Sequence, residues 1–293
     1  MQNNQTSQEI IKDPTPLQET WYNLKKNKGA MVGMTIILIF IFMAIFAPLI
    51  SPFDPLAQII EDRKTPMFTN GHVFGTDDLG RDMLSRLIYG ARISMAIGVI
   101  SVGISLVFGI LIGVTSAYFG GIYDKIVMRI IDIMLAFPYI LLTIVIVSVL
   151  GPSLMNAMVA IGISQIPRYA RVVRASVLAE KEADYVLAER ALGAGNFELM
   201  FLTILPNCLS PTIVQATLGV GEAILSSAGL SFLGLGAQPP TPEWGLMIAS
   251  SKEFITNAWW IVTLPGIAIL LAVLGFNLFG DGLRDILDPK MRN

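Results

Sequence analysis

Apolar positions in this chain run on without interruption instead of alternating. No charged residue occurs from Gly29 to Phe53 or from Ile93 to Tyr123. A helix needs about 20 apolar residues to cross the hydrocarbon core of a bilayer. Six stretches meet or approach that length: Ala30–Ile50, one within Ile93–Tyr123, Ile133–Leu150, the short Leu154–Ile166, roughly Thr212–Leu235, and Ala258–Phe279. Backbone groups in lipid must bond within their own segment, so the stretches are predicted as helices, and no run alternates as a barrel strand would. The fold class expected is all-α integral membrane with six transmembrane helices. Residues 1–28 form a polar tail, 29–53 a first, uncleaved span, and 54–92 an outer segment. A five-helix core over 93–280 carries an inner loop, 167–209, and residues 281–293 form a second tail.

Charge sets the orientation. Fourteen of the 20 Lys and Arg, all but Arg63, Lys64, Arg81, Arg86, Arg92 and Lys252, fall on one side of this arrangement. The positive-inside rule makes that side cytoplasmic and puts both termini there. Composition agrees: mean hydropathy is +0.65 and 14% of residues are charged, against about 25% in soluble domains. A net charge of -2 gives no field that would draw nucleic acid. The single Cys208 excludes an internal disulfide and packs as a small hydrophobe. The single His72 excludes a multi-histidine metal site. No G-x-x-x-x-G-K-[ST] phosphate loop occurs, so any energy from ATP would have to come from another polypeptide.

Two patterns carry mechanics. Ser101, Ser105, Gly109, Gly113, Ala117 and Gly121 recur every four residues, a small-residue ridge that lets a second helix approach closely. The inner loop holds good helix formers from Asp184 to Leu192. Gly193 and Gly195 then permit positive φ and a sharp turn. A second helix follows before Leu205-Pro206. The expected product is a rigid knob suited to docking in a groove of a partner.

This loop resembles that of the permease subunits of ABC importers, with E-A-A, three residues, G, nine residues and I-x-L-P. Gly193, Leu205 and Pro206 fit the spacing. The triplet falls on Leu187-Ala188-Glu189, where Ala188 alone matches, and Thr203 stands at the isoleucine position. Two further stretches, Phe74 to Asp82 followed by Tyr89-Gly90-Ala91-Arg92-Ile93-Ser94, and Gly229 to Gly236 followed by Pro239-Pro240 and Glu243-Trp244-Gly245, resemble the C-type subunits of oligopeptide, dipeptide and nickel importers. So does the tail with Asn277, Gly280 to Asp285 and Asp288-Pro289. The resemblance implies a type I ABC importer permease in the cytoplasmic membrane of a prokaryote. It implies a second homologous permease subunit, two ATPase subunits that carry ATP and Mg, and an extracytoplasmic substrate-binding protein. This chain itself would be non-catalytic and bind no cofactor. Asp184, Leu187, Ala188, Glu189, Ala191, Leu192, Gly193, Ala194, Gly195, Leu205 and Pro206 would couple it to the ATPases by alternating access, and the cargo would be a peptide. Alternatives are nickel or another small solute, or an ion-coupled secondary transporter.

Other positions raise narrower expectations. Glu222, mid-span, is either a pathway residue or a structural hydrogen-bonding group. Arg129 and Asp132 are spaced for an i,i+3 ion pair. Arg168, Arg171 and Arg174 are expected to snorkel at the membrane boundary. Gly75, Thr76, Asp77, Asp78, Gly80, Arg81 and Asp82 form a capped turn, with Asp77 or Asp78 starting a helix, and are candidates to touch the second permease or the binding protein. Met83–Ile93 is expected to lie on the membrane surface. Trp244, Trp259 and Trp260 read as an interfacial belt, and Pro138 and Pro265 as kinks.

Overall fold

The computed structural model describes residues 16–287, with side chains from 21 onward. Lys12, the Asp288-Pro289 pair, Lys290 and Arg292 lie outside the described residues. The described chain is helical and carries only two isolated β-bridges, Thr69 with His72 and Thr76 with Asp82. The polar tail contains a helix, α1 (Pro16–Lys26). Asn27 ends it and caps α2 (Lys28–Ile50), its Oδ1 accepting from the Ala30 amide at 3.1 Å. Its Nδ2 donates to Asp285 at 3.2 Å, tying this cap to α12 (Trp259–Leu287). Gly33 lets the two helices touch: a Cβ there would lie 2.6 Å from the Gly275 carbonyl.

After the irregular segment 51–82, α3 (Met83–Phe119) runs without a break. The expected surface helix at Met83–Ile93 is therefore the first turns of a transmembrane helix. Asp82, not Asp77 or Asp78, is its N-cap, accepting from the Ser85 amide at 2.7 Å. The helix stops where Gly120 and Gly121 both adopt positive φ, +62° and +61°, a conformation only glycine holds at no steric cost. The chain then turns into α4 (Gly121–Ala136). Pro138 does more than kink the next stretch. It forces Phe137 to extended backbone, and α5 (Tyr139–Leu150) leaves at 96° to α4. Pro265, by contrast, is accommodated inside α12.

Ser153 caps α6 (Leu154–Glu180), which continues well past the predicted end at Ile166. The ridge on α3 is where α6 lies. Ser101 Oγ donates to the Met158 carbonyl at 3.0 Å and Ser105 Oγ to that of Gly162 at 2.7 Å. A Cβ on Gly109 would meet Tyr169 Cβ at 2.4 Å, and one on Gly113 the Ala170 carbonyl at 2.7 Å. The ridge is thus an intramolecular seam from Ser101 to Ala117, and the exposed Gly121 falls outside it.

The inner loop forms α7 (Asp184–Ala191), α8 (Asn196–Glu198), a π-helical stretch Leu199–Ile204, and α9 (Leu205–Asn207). Then come α10 (Leu209–Phe232) and the short α11 (Trp244–Ser251) before α12. Among the described residues four helices, α2, α3, α10 and α12, are long and apolar enough to cross a membrane, and the bent α4–α5 pair makes a fifth if taken as one broken span. The sixth expected span is the apolar front of α6, cut short by Arg168, Arg171 and Arg174 in its second half.

Candidate functional site

The knob is built by one backbone device. α7 ends in a double hydrogen bond in which the Ala194 amide donates to the Glu189 carbonyl and the Gly193 amide to that of Arg190, both at 3.1 Å. That is a Schellman closure with Gly193 at its left-handed position, φ +93°. A Cβ on Gly193 would meet nothing within 4 Å, so the demand for glycine is conformational and not steric. Gly195 differs from expectation. Its φ is -71°, an ordinary value, and only one of the two glycines makes the turn.

One face of the knob is fixed to the bundle. Val186, Leu199, Met200, Ile204 and Cys208 pack with Val114 and Ala117 of α3 and Val173 and Val177 of α6. Lys181 Nζ donates to the Ala117 carbonyl at 3.1 Å, meeting the negative end of α3. Tyr118 donates to Asn196 at 2.8 Å, and Thr203 Oγ1 to Glu189 at 2.5 Å. Burial pushes the Cys208 thiol up to about 11, so it stays a protonated, unreactive filler. The other face is open. Asp184, Leu187, Ala188, Ala191, Leu192, Gly193, Gly195 and Pro206 are exposed, whereas Glu189, Ala194 and Leu205 are half-buried and help hold the turn. Leu192, at the tip, is 89% exposed.

Above the knob, α6 carries a ladder of ion pairs. Arg174 grips Asp124 through Nε and Nη2 at 2.7 and 2.6 Å, Arg171 reaches Asp132 at 2.6 Å, and Arg168 pairs with Glu222. The arginines therefore do not simply snorkel: they join α6 to α4 and α10. Asp132 takes Arg171, 39 residues away, and not the neighbouring Arg129. Glu222 is held in an ion pair, a partner that its own helix gives no sign of.

Residues 105–293 match the family model of binding-protein-dependent transport system inner membrane components. Residues 15–66 match that of the N-terminal transmembrane domain of oligopeptide transport permease C. The chain belongs to this permease family. Its relatives include the di/tripeptide transport system permease protein DppC of Pseudomonas aeruginosa (strain UCBPP-PA14), 50% identical over 298 residues and covering 100% of this chain and 98% of the relative. The dipeptide transport system permease protein DppC of Haemophilus influenzae (strain ATCC 51907 / DSM 11121 / KW20 / Rd) is 52% identical over 283 residues, 95% of this chain and 96% of the relative. That of Escherichia coli (strain K12) is 51% identical over 295 residues, 98% of each. Among solved structures, inward-facing conformations of the MetNI methionine ABC transporter match with a TM-score of 0.57 at 22% identity, over 70% of this chain and 97% of that chain. The fold is that of a type I ABC permease, and the protein is a multi-pass inner-membrane permease.

In this permease the 51–92 segment corrects the picture of a contact surface. Gly75, Thr76, Asp77, Gly80, Arg81 and Asp82 are buried within the chain, and only Asp78 of the group is half-exposed. Asp77 accepts from the amides of Leu79 and Arg81 at 2.9 and 3.0 Å and from Arg81 Nε at 2.6 Å, with Arg86 Nε 3.5 Å away. His72 Nδ1 stands 2.8 Å from Asp82. These side chains satisfy each other, as buried polar groups must. Burial and the neighbouring Asp77 raise the Asp78 carboxyl above its ordinary range. Of Trp244, Trp259 and Trp260, two belong to this brace and not to a belt. Trp244 Nε1 donates to the Leu87 carbonyl at 3.1 Å and Trp260 Nε1 to that of Thr76 at 3.2 Å. Both rings are buried, whereas Trp259 is exposed. Nothing in the local sequence marks these long-range bonds.

Proposed function

We propose that this permease is one half of the translocation pathway of an ATP-driven importer of short peptides. It works with a second homologous permease, two ATPase subunits that bind ATP and Mg, and an extracytoplasmic binding protein that delivers the cargo. It binds no cofactor and catalyses no reaction itself. Both termini and the knob are cytoplasmic, as the Lys and Arg distribution favours.

The observation that carries this reading is the knob: a glycine-closed turn with an open apolar tip, welded by its other face to α3 and α6. A load applied at Leu192 passes straight into the two most intimately packed helices of the bundle. Closure of an ATPase pair around ATP draws two such knobs together and tilts the bundles, which shifts a two-state equilibrium toward the outward-open form. Hydrolysis returns it. Dipeptide cargo follows from relatives near 50% identity that bear that name. The ion-coupled alternative rests on Glu222 alone, and that residue is paired with Arg168.

The test is reconstitution of the full complex in proteoliposomes with labelled dipeptides and, separately, nickel. ATP-dependent dipeptide uptake is expected, and uptake of nickel alone would replace the cargo. Gly193→Val should leave ATP hydrolysis running while uptake collapses. Normal uptake by Gly193→Val, or labelling of Leu192→Cys from the outer side of intact cells, would remove the knob from the mechanism.

A further inference from the structure

Glu222 sits at the middle of Leu209–Phe232 and pairs with Arg168 across the α6–α10 contact. Yet the two side chains remain 37% and 52% exposed. Charged groups at bilayer depth do not face lipid. They face a watery cavity or another polypeptide. The pair also has polar company. Tyr139 donates to Ser226 at 3.1 Å and accepts from Gln165 Nε2 at 3.3 Å. The other end of that amide is orphaned: Gln165 is 3% exposed and its Oε1 has no hydrogen-bond partner. An unmet buried acceptor is costly, and one that persists a turn away from an open ion pair points to a partner that comes and goes. Gly219 shapes this place. A Cβ there would lie 3.5 Å from Gln165 Oε1 and 2.2 Å from the Tyr169 hydroxyl.

We infer that Arg168 and Glu222 bind the two charged ends of a short peptide as it passes through the permease, with Gln165 Oε1 accepting from a peptide N–H. This rests on the peptide reading above and names how that cargo is held. The guanidinium fork matches a terminal carboxylate, and the Glu222 carboxylate matches a terminal ammonium. Two extended residues span at most about 7 Å, so a dipeptide can insert between partners that swing apart by side-chain rotation. One ion pair is exchanged for two, and no charge is left unpaired. The exchange therefore gives weak binding, which a pathway needs if cargo is to leave. Longer peptides separate their ends beyond the reach of the pair and meet only one of its members at a time.

The experiment uses the complete complex without its binding protein. Binding of a free dipeptide is read by saturation-transfer NMR, in competition with the same dipeptide N-acetylated and C-amidated. The free dipeptide should bind and the blocked one should fail to compete. Arg168→Gln and Glu222→Gln should each weaken binding by about tenfold or more, the loss expected for one charge-assisted hydrogen bond. In a Cys208→Ser background, Glu222→Cys should react with a charged thiol reagent. Equal competition by the blocked peptide, unchanged affinity in both Gln variants, or an unreactive Glu222→Cys covered by the second permease would each overturn the inference. The blocked-peptide comparison uses the unmutated pair, so failure of a variant to assemble does not spare the idea. A complex that imports dipeptide on ATP but fails these tests sinks this inference alone. One that imports no peptide sinks the functional reading.

Discussion

In the 51–92 segment Thr76, Asp77, Arg81 and Asp82 turn inward, while in the knob Leu192, Phe197 and Leu202 turn out. One region buries its charges and the other exposes its hydrophobes, each against the usual preference. The contrast separates a brace from a handle. Buried, mutually satisfied polar groups stiffen a segment because every alternative arrangement leaves one of them unpaired. Exposed apolar groups on a backbone-defined turn contribute nothing to the chain that carries them and become useful only when a partner covers them. On the proposed reading a motor needs to pull on something that does not yield, and the knob's buried face would supply that while its open face would supply the grip.

The largest effect should come from the brace. Asp77→Ala strands the Arg81 and Arg86 guanidiniums, which are buried beside it. Removing one partner of such a buried set costs about 3–5 kcal/mol. Thermal unfolding of the purified permease in detergent should fall sharply. Asp77→Asn, which keeps an acceptor for the Leu79 and Arg81 amides, should fall less. An Asp77→Ala protein as stable as the parent would show that the segment is not a brace.

The knob makes a sharper internal comparison. Gly193 and Gly195 are two residues apart, and the structure asks different things of them. Gly193→Ala puts a Cβ on a left-handed residue and should cost about 1–2 kcal/mol. Gly195→Ala places it at φ -71° with open space around it, and should stabilise by about 0.4–1 kcal/mol through the unfolded chain. Matching effects at both positions would mean the turn is not closed as described.

A pH effect separates the regions further. Asp78 is raised by burial and by Asp77, so the folded segment holds a proton more tightly than the unfolded chain does. Stability at this position is therefore greatest below the unfolded value and falls as pH rises through the folded one. Asp78→Asn should remove that fall, so the variant's melting temperature gains on the parent's as pH rises, and a difference that does not change with pH would dismiss the shift.

Much of this was readable in advance. Long apolar runs give α2, α3, α10 and α12, since nothing but a bilayer accepts them. The four-residue ridge on α3 and the glycine after Leu192 also announce their roles, because both follow from local geometry. What stayed hidden depends on tertiary partners. Arg171 reaches across 39 residues to Asp132 although Arg129 stands three positions away. Trp244 and Trp260 read as interfacial residues until their N–H groups meet the carbonyls of Leu87 and Thr76. The inward turn of Asp77 is equally silent, because an acidic turn looks the same in sequence whether it faces water or a guanidinium.

The smallest expected change in stability carries the most information about the handle. Leu192 is 89% exposed and lies past the end of α7, so Leu192→Ser removes no buried contact from this chain. Its unfolding free energy should stay within about 0.5 kcal/mol of the parent. On the proposed reading, the same side chain fills a pocket of the ATPase, and an apolar anchor at the centre of an interface is worth about 2 kcal/mol or more when truncated. Co-purification of the ATPases with the permease should therefore weaken while the melting temperature holds. Val186→Ser, buried on the inner face of α7, should do the reverse and destabilise the permease first. If both substitutions lower stability alike, the knob has no free face, and the division between brace and handle fails at the point where the argument most needs it.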